Sequence, residues 1–337
     1  MRKSDTERGT VLLTTLLIMS VMAAITVALM DDIRIAVKRT INVNAYAQAD
    51  WQGRGAEDFI RAWLTNDFAA LDDRAKSLLI RQDEPIILPT EDGVITVHLK
   101  DASHCFNLNA VLDFEGKVTE HPAEFKTLSE NIGIPQNQAE VISSALMDWI
   151  DADQNQRAGG AEDGTYLRAN PPYRTSDTKL TAPEEMRALN GMDEDLWDIY
   201  QPFVCTGRMG EMPAVNLNTL ELERIAILAA AIGGDNASTA AQRILEARPD
   251  QGFGNREELG QSLASLELEG VSLTDRLTTD VSAVFVEVVT TVGPAERVRT
   301  YRYDGVDKDA PVLTYRGWGR ETFRPEIEDP NAQEDAR

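Results

Sequence analysis

Between Gly9 and Met30 the chain carries no charged side chain, and Val, Leu, Ile, Met, Ala and Thr dominate the run. About 20 such residues are enough to cross a bilayer as a helix. A cleavable secretory signal has a shorter apolar core and a small-x-small exit. No Ala-x-Ala follows near the end of this run, so it reads as a retained anchor. Flanking charge does not orient it, because Arg2, Lys3 and Arg8 precede the span while Arg34, Lys38 and Arg39 follow it. Helical periodicity continues through Ile33, Val37, Ile41, Ala45, Trp51, Phe59 and Trp63, and no Pro interrupts residues 10–80. The expectation is one helix of about 55 residues, half in a membrane and half packed on a folded domain.

The rest of the chain narrows the function classes. With 33 Lys and Arg against 56 Asp and Glu, the formal net charge is −23. That surface repels phosphate, argues against nucleic acid as a partner and favours cations. Three histidines (His98, His104 and His121) and two cysteines form no cluster with zinc spacing. Cys105 and Cys205 are either one bridge, if the domain lies in an oxidising compartment, or two buried thiols.

Beyond the long helix, Ile86–Leu88 and the alternating Val94–Leu99 read as strands around an Asp92-Gly93 turn. Strand character then disappears until Val281–Thr291. A Gly293-Pro294 turn leads on to Arg297–Tyr303, and Pro311–Trp318 supplies the last strand. The fold class is therefore α+β: a long N-terminal helix packed on a small antiparallel sheet that is interrupted by a large all-helical insert. The expected division is a leader at 1–9, a span at 10–30, a helix and first strands at 31–104, the insert at 105–278, closing strands at 279–320 and a disordered acidic tail at 321–337.

The insert contains a duplication. Phe106-Asn107-Leu108-Asn109 is matched by Val215-Asn216-Leu217-Asn218, and each copy is followed by an apolar stretch, an Ile-Gly step (Ile132-Gly133 and Ile232-Gly233) and a second amphipathic helix. The pattern resembles helix-hairpin-helix, or SAM-like, units and raises a DNA-binding alternative. The surroundings are acidic rather than ringed by Lys and Arg, which favours a structural use.

The stretch richest in chemistry is the loop at about 148–178. Counting from Asp151, oxygen ligands fall at the first, third and fifth positions (Asp151, Asp153, Asn155), and Glu162 stands at the twelfth. That is the ligand rhythm of an EF-hand, and calcium takes six to eight oxygens in flexible geometry. The sixth position is Gln156, where an EF-hand needs Gly, so an irregular loop is expected. Its further candidate ligands are Asp163, Asp177, Ser176 and carbonyls of 159–166. A carboxylate pair could instead serve a calcium-dependent hydrolase. That reading needs a cleft with aromatic platforms, and aromatics make up 6% of the chain.

Three features carry a family resemblance. The charged leader MRKSDTERG ends in Gly9 and the apolar run begins at once at Thr10, which resembles a type IV prepilin leader cut after its glycine. Pilins usually carry Glu at the fifth mature residue, here Thr14, and its absence resembles the minor pseudopilins of the general secretion pathway protein K family. The Trp149-Ile150-Asp151-x-Asp153 and Gly159-Gly160-Ala161-Glu162-Asp163 segments, followed by Tyr166 and Pro171-Pro172-Tyr173, look like the calcium region of that family. The resemblance implies a non-enzymatic, single-pass inner-membrane protein with its large domain in the periplasm. It implies cleavage after Gly9 by prepilin peptidase, methylation of Thr10 and a structural Ca2+. It also implies assembly with minor pseudopilins I and J at the tip of a fibre of major pseudopilin G.

Overall fold

The computed structural model describes residues 4–82, 84–234, 236–266, 275–307 and 311–319, with side chains described from residue 11 onward. The expected disordered tail at 321–337 lies outside the described residues, and so do the side chains of Gly9 and Thr10. One helix, α1 (Ser4–Trp63), carries the apolar run and continues far past it. Among the described residues it is the one helix long and apolar enough to cross a membrane, and every side chain from Val11 to Met30 is exposed.

The second half of α1 buries a narrow seam: Ala45, Ala49, Gly53, Ala56 and Ile60, spaced three and four apart, which Leu64 continues. A π-helical turn at Leu64–Phe68 extends the seam to Phe68. This corrects the packed face expected from the sequence. Ile33, Val37 and Ile41 are exposed, as are Trp51 and Phe59, and Ala45 alone of that buried seam was anticipated. Trp51 stands two residues from Ala49, about 200° around the helix, and the true seam uses small residues that hydrophobicity ranks low.

The chain falls into two compact units. The first comprises α1 as far as Glu57 together with Ile87–Thr96 and Val288–Arg297; the second is the rest of the described chain. Within the first, Ala45 and Ala49 pack on Val292 and Ala295. Arg297 lies over the Tyr46 ring at 4.6 Å and reaches Asp50 at 3.5 Å. The small residues of α1 are what admit this close approach.

After α1 come α2 (Asp73–Arg81), capped by the Asp72 carboxylate, and the hairpin β1 (Ile86–Pro89) and β2 (Gly93–Asp101). β2 alternates as its sequence requires, burying Ile95, Val97, Leu99 and Asp101. The insert then opens with β3 (Phe106–Asn107), a 3-10 turn, α3 (His121–Asn131) and α4 (Gln136–Ile150). It continues through α5 (Asp163–Tyr166) and α6 (Glu194–Tyr200) to β4 (Val204–Cys205), which pairs parallel with β3. A second, shorter round runs from β5 (Val215–Asn216) through α7 (Ile225–Ile232), α8 (Ala237–Glu246) and α9 (Arg256–Ser265) to β6 (Leu277–Thr278), which pairs parallel with β5.

The insert is thus not all-helical. Each half is closed by a parallel pair of two-residue strands, too short to show any alternation in sequence. The duplicated Asn-Leu-Asn triplets do the closing. In both, the first Asn accepts the backbone N–H of the second, at 3.1 Å (Asn109 to Asn107) and 2.9 Å (Asn218 to Asn216). The second Asn then uses its amide as a mimic of a strand neighbour. Asn109 donates to Leu180 O at 2.9 Å and accepts from Leu180 N at 2.8 Å. Asn218 donates to Phe253 O at 2.9 Å and accepts from Phe253 N at 2.7 Å. These buried pairs satisfy backbone groups that no longer strand supplies. Both helical hairpins turn on glycine in the left-handed region, Gly133 at φ +89 and Gly233 at φ +69. One apolar core runs through both halves, including Phe125, Leu146, Tyr200, Leu217, Leu228 and Ile244.

A disulfide joins Cys105, at the entrance to β3, to Cys205, at the end of β4. Below it the Asp101 carboxylate accepts from Asn216 and Thr219 of the second half. The described residues of the insert thus fall in one compact unit with the flanking segment from Val97 and the strand residues up to Glu287.

The chain leaves the insert into β7 (Ala283–Val292), β8 (Ala295–Asp304) and β9 (Val312–Trp318). The sheet order is β1-β2-β7-β8-β9, so the insert interrupts neighbouring strands. β8 and β9 run antiparallel, with a register shift between Arg302 and Tyr303.

Candidate metal centre

The acidic loop begins where α4 ends. This helix buries Ala139, Ile142, Ala145, Leu146 and Trp149 on one face, and its last turn also carries Asp148, which is completely buried. A carboxylate at a helix C-terminus faces the negative end of the macrodipole and is disfavoured without a compensating cation. Asp151 caps the helix, its N–H bonding to Met147 O at 3.0 Å. The loop then doubles back. The Arg157 backbone N–H reaches Asp148 Oδ2 at 3.1 Å, and its guanidinium bridges Asp148 and Asp151. Gly160 passes so close that a Cβ there would stand 2.0 Å from Asp148 Oδ2. That turn delivers Glu162 against the other two carboxylates.

Asp148, Asp151 and Glu162, all buried, bring ligand oxygens within 4.8 Å of one another. Both oxygens of Glu162 and Oδ1 of Asp151 are buried with no hydrogen-bond partner. Unpaired buried carboxylate oxygens are costly, and one guanidinium does not balance three carboxylates. Burial first, and then the charges of Asp148, Asp151, Asp153 and Asp177, push the Glu162 carboxyl up to about 7. Burial opposes the charge on Arg157, yet its bonds to Asp151 and Asp148 hold the guanidinium more firmly protonated than usual. The donor set is all oxygen, which suits a hard divalent cation of the calcium type rather than zinc. The orphaned oxygens of Glu162 and Asp151 fit such an ion.

The structure brings together two of the six expected ligands and adds one. Asp151 and Glu162 converge, and Asp148 joins them. The sequence did hold a signal for Asp148, a lone acid in the last turn of an apolar helix. Asp153 and Asn155 are exposed; Asp153 accepts the Asn155 N–H at 2.7 Å and acts on the cluster through its charge. Asp163 spends its oxygens elsewhere, accepting from Thr175 N at 3.1 Å and pairing with Arg174. Against some desolvation, these Thr175 and Arg174 contacts hold its carboxyl below the ordinary range. Asp177, at φ +49, accepts from the Thr175 hydroxyl at 2.7 Å, while Ser176 donates to Trp149 O at 3.0 Å. These residues therefore fasten the far side of the loop to α4. Trp149, Tyr166 and Tyr173 back it as an aromatic cluster, with ring centroids 5.2 and 5.1 Å apart along the chain of contacts.

The raised Glu162 value sets a pH dependence. Between its ordinary 4.5 and about 7 the folded chain keeps a proton that the unfolded chain has released. This contribution to stability is complete below the lower value and is lost as pH rises through the upper one. With calcium chelated, melting temperature is expected to fall across that window, and Glu162→Gln is expected to flatten the slope. Parallel slopes in thermal melts of the two proteins would contradict the assignment.

Two family models described as type II secretion system protein K match residues 104–207 and 215–283. These two ranges coincide with the two halves of the insert, each closed by its own parallel strand pair. The type II secretion system protein K of Pectobacterium carotovorum subsp. carotovorum is 32% identical over 262 residues, 76% of this chain and 80% of that protein. That of Klebsiella pneumoniae is 34% identical over 253 residues, 73% of this chain and 77% of the relative. The chain belongs to the type II secretion system protein K family. It is a minor pseudopilin of that system, and its apolar N-terminal helix is consistent with a single-pass membrane anchor. The fold of this protein K family member also matches the crystal structure of the GspK-GspI-GspJ complex from enterotoxigenic Escherichia coli, with a TM-score of 0.61 and 24% identity, over 83% of this chain and 99% of that one. The DNA-binding alternative raised by the helix-hairpin-helix resemblance finds no support at the duplicated triplets, because Asn107, Asn109, Asn216 and Asn218 are all buried and their amides are bonded within the fold.

Proposed function

We propose that this minor pseudopilin caps the tip of a periplasmic pseudopilus, together with minor pseudopilins I and J and above the major pseudopilin G. In this reading prepilin peptidase cuts after Gly9, the new amine at Thr10 is methylated, and α1 stays in the inner membrane with the large domain in the periplasm. The observation that carries it is α1 itself: an uncharged stretch from Val11 to Met30 exposed on all sides, continuous with a second half that packs on a folded unit. Such a helix has its apolar surface ready for lipid or for sister helices. Thr14 supplies no carboxylate to neutralise a neighbour's N-terminal amine, which suits a subunit with none above it.

The two helical hairpins act here as structural helix-hairpin-helix-like units, and the carboxylate cluster as a structural calcium site formed by Asp148, Asp151 and Glu162. With the ion bound, the loop is locked against α4 and no bond of any substrate is broken. The burial of all three carboxylates supports this over a hydrolase, since general acid–base work requires contact with substrate. The assembly is tested by detergent extraction and affinity purification of the tagged full chain co-expressed with the I, J and G subunits. Co-purification of I and J in fixed ratio is expected. Recovery of the chain alone, or of G without I and J, would contradict the tip assignment.

A further inference from the structure

The second unit holds a cavity of about 160 Å³ that is unrelated to the carboxylate cluster. Its lining includes Arg81 at the end of α2, Lys100 on β2, His104, Glu221 and Arg248, the last just after α8, with the Asp101 carboxylate below. In a chain of net charge −23, three permanent cations around one small cavity are not a consequence of composition.

The two acids in the lining are already compensated. Asp101 accepts from Ser103 N and Oγ, from Asn216 Nδ2 and from Thr219 Oγ1. Four donors exhaust the usual capacity of a carboxylate. Glu221 pairs with Arg224 at 3.3 Å. His104 donates from Nε2 to Asn216 O at 3.0 Å and thereby helps hold the floor.

The arginines are in the opposite condition. Arg81 donates to Asp250 O at 3.0 Å, and Arg248 to Leu217 O at 3.0 Å and Leu220 O at 2.7 Å. Carbonyls orient a guanidinium without neutralising it. These bonds use only Nη1, which carries two of the five N–H donors of each group. Neither arginine has an ion pair with a carboxylate among the described residues. Burial, and then the like charge of Arg81, lowers the Arg248 value, so two uncompensated cations face each other across the cavity.

We propose that this cavity binds a small oxyanion of the phosphate, sulfate or carboxylate type, held by Arg81, Lys100 and Arg248. The volume supports a small ion: it is several times the roughly 30 Å³ share of a water molecule and well below the roughly 300 Å³ at which drug-sized sites begin. Charge-assisted bonds from guanidinium groups suit planar or tetrahedral oxyanions. An ion there ties α2, β2 and the second half of the insert together at one point.

The test is a titration of the detergent-solubilised full chain with inorganic phosphate, sulfate and succinate, with sodium chloride at matched ionic strength as reference. Binding is read by calorimetry and by melting temperature. At least one of the three is expected to give saturable heat and a saturable rise in melting temperature. Arg81→Gln, at an exposed residue, and Lys100→Met are expected to weaken that binding roughly tenfold or more while melting near the wild-type temperature in chloride alone. No saturable signal up to tens of millimolar of all three ions would overturn the site. Binding to both variants as tight as to wild type would do the same.

Discussion

Glu162→Gln is expected to lower the stability of the calcium-loaded chain and to raise that of the calcium-free chain above neutral pH. The opposite signs follow from the carboxylate cluster. Without an ion, an ionised Glu162 faces Asp148 and Asp151 with no hydrogen-bond partner for either oxygen, so a neutral amide is better tolerated. With the ion, the same two oxygens become ligands, and their loss removes the binding energy. An ion present at 100 times its dissociation constant stabilises the folded state by about 2.7 kcal/mol. For a unit of this size that corresponds to roughly 5–10 °C in melting temperature. The wild-type chain should gain that shift on calcium addition, and Glu162→Gln and Asp151→Asn should lose most of it. Asp148→Asn should differ, weakening the protein in both conditions because Arg157 then loses the charge of its one completely buried partner, which accepts from both its backbone N–H and its guanidinium. Identical melts for wild type in calcium and in chelator would remove the cation from the account.

The second large effect is expected from the disulfide. Replacing Cys105 and Cys205 together by Ser opens a loop with a sequence separation of 100 residues. Loss of a native bridge of this kind typically costs about 2–5 kcal/mol, much of it by freeing the unfolded chain. Both sites are buried beside the β3–β4 pair, so two hydroxyls must also be accommodated there. The urea midpoint should fall markedly, and wild type unfolded in reducing agent should approach the double mutant. An unchanged midpoint would mean that the strand pair and the Asn109 bridge already fix this corner without the bond.

What could be read from the sequence follows the range of the interactions that specify each part. The long apolar helix was legible because its signal, the absence of charge from Gly9 to Met30, is local and long. β2 was legible because Ile95, Val97 and Leu99 alternate with half-exposed neighbours. The buried face of α1 is hard to read because its first four positions, Ala45, Ala49, Gly53 and Ala56, are small residues suited to closeness rather than marked by hydrophobicity. The two-residue strands were missed because nothing periodic fits in two positions. Their true marker is the repeated Asn-Leu-Asn, which the sequence shows as a duplication but which carries no strand periodicity. At the carboxylate cluster, an EF-hand count located Asp151 and Glu162 but promoted Asp153 and Asn155, which remain outside. Which acids meet is decided by the path of the loop, and that path depends on Arg157 folding back and on Gly160 having no side chain.

The central claim is that an uncharged helix is released by proteolysis so that it can join a fibre through its own apolar surface. Intact-mass spectrometry of the chain extracted from membranes of cells that contain prepilin peptidase tests it most directly. The account predicts a mature chain beginning at Thr10, lighter by residues 1–9 and carrying one added methyl group. A chain that still begins at Met1 in such cells would contradict it.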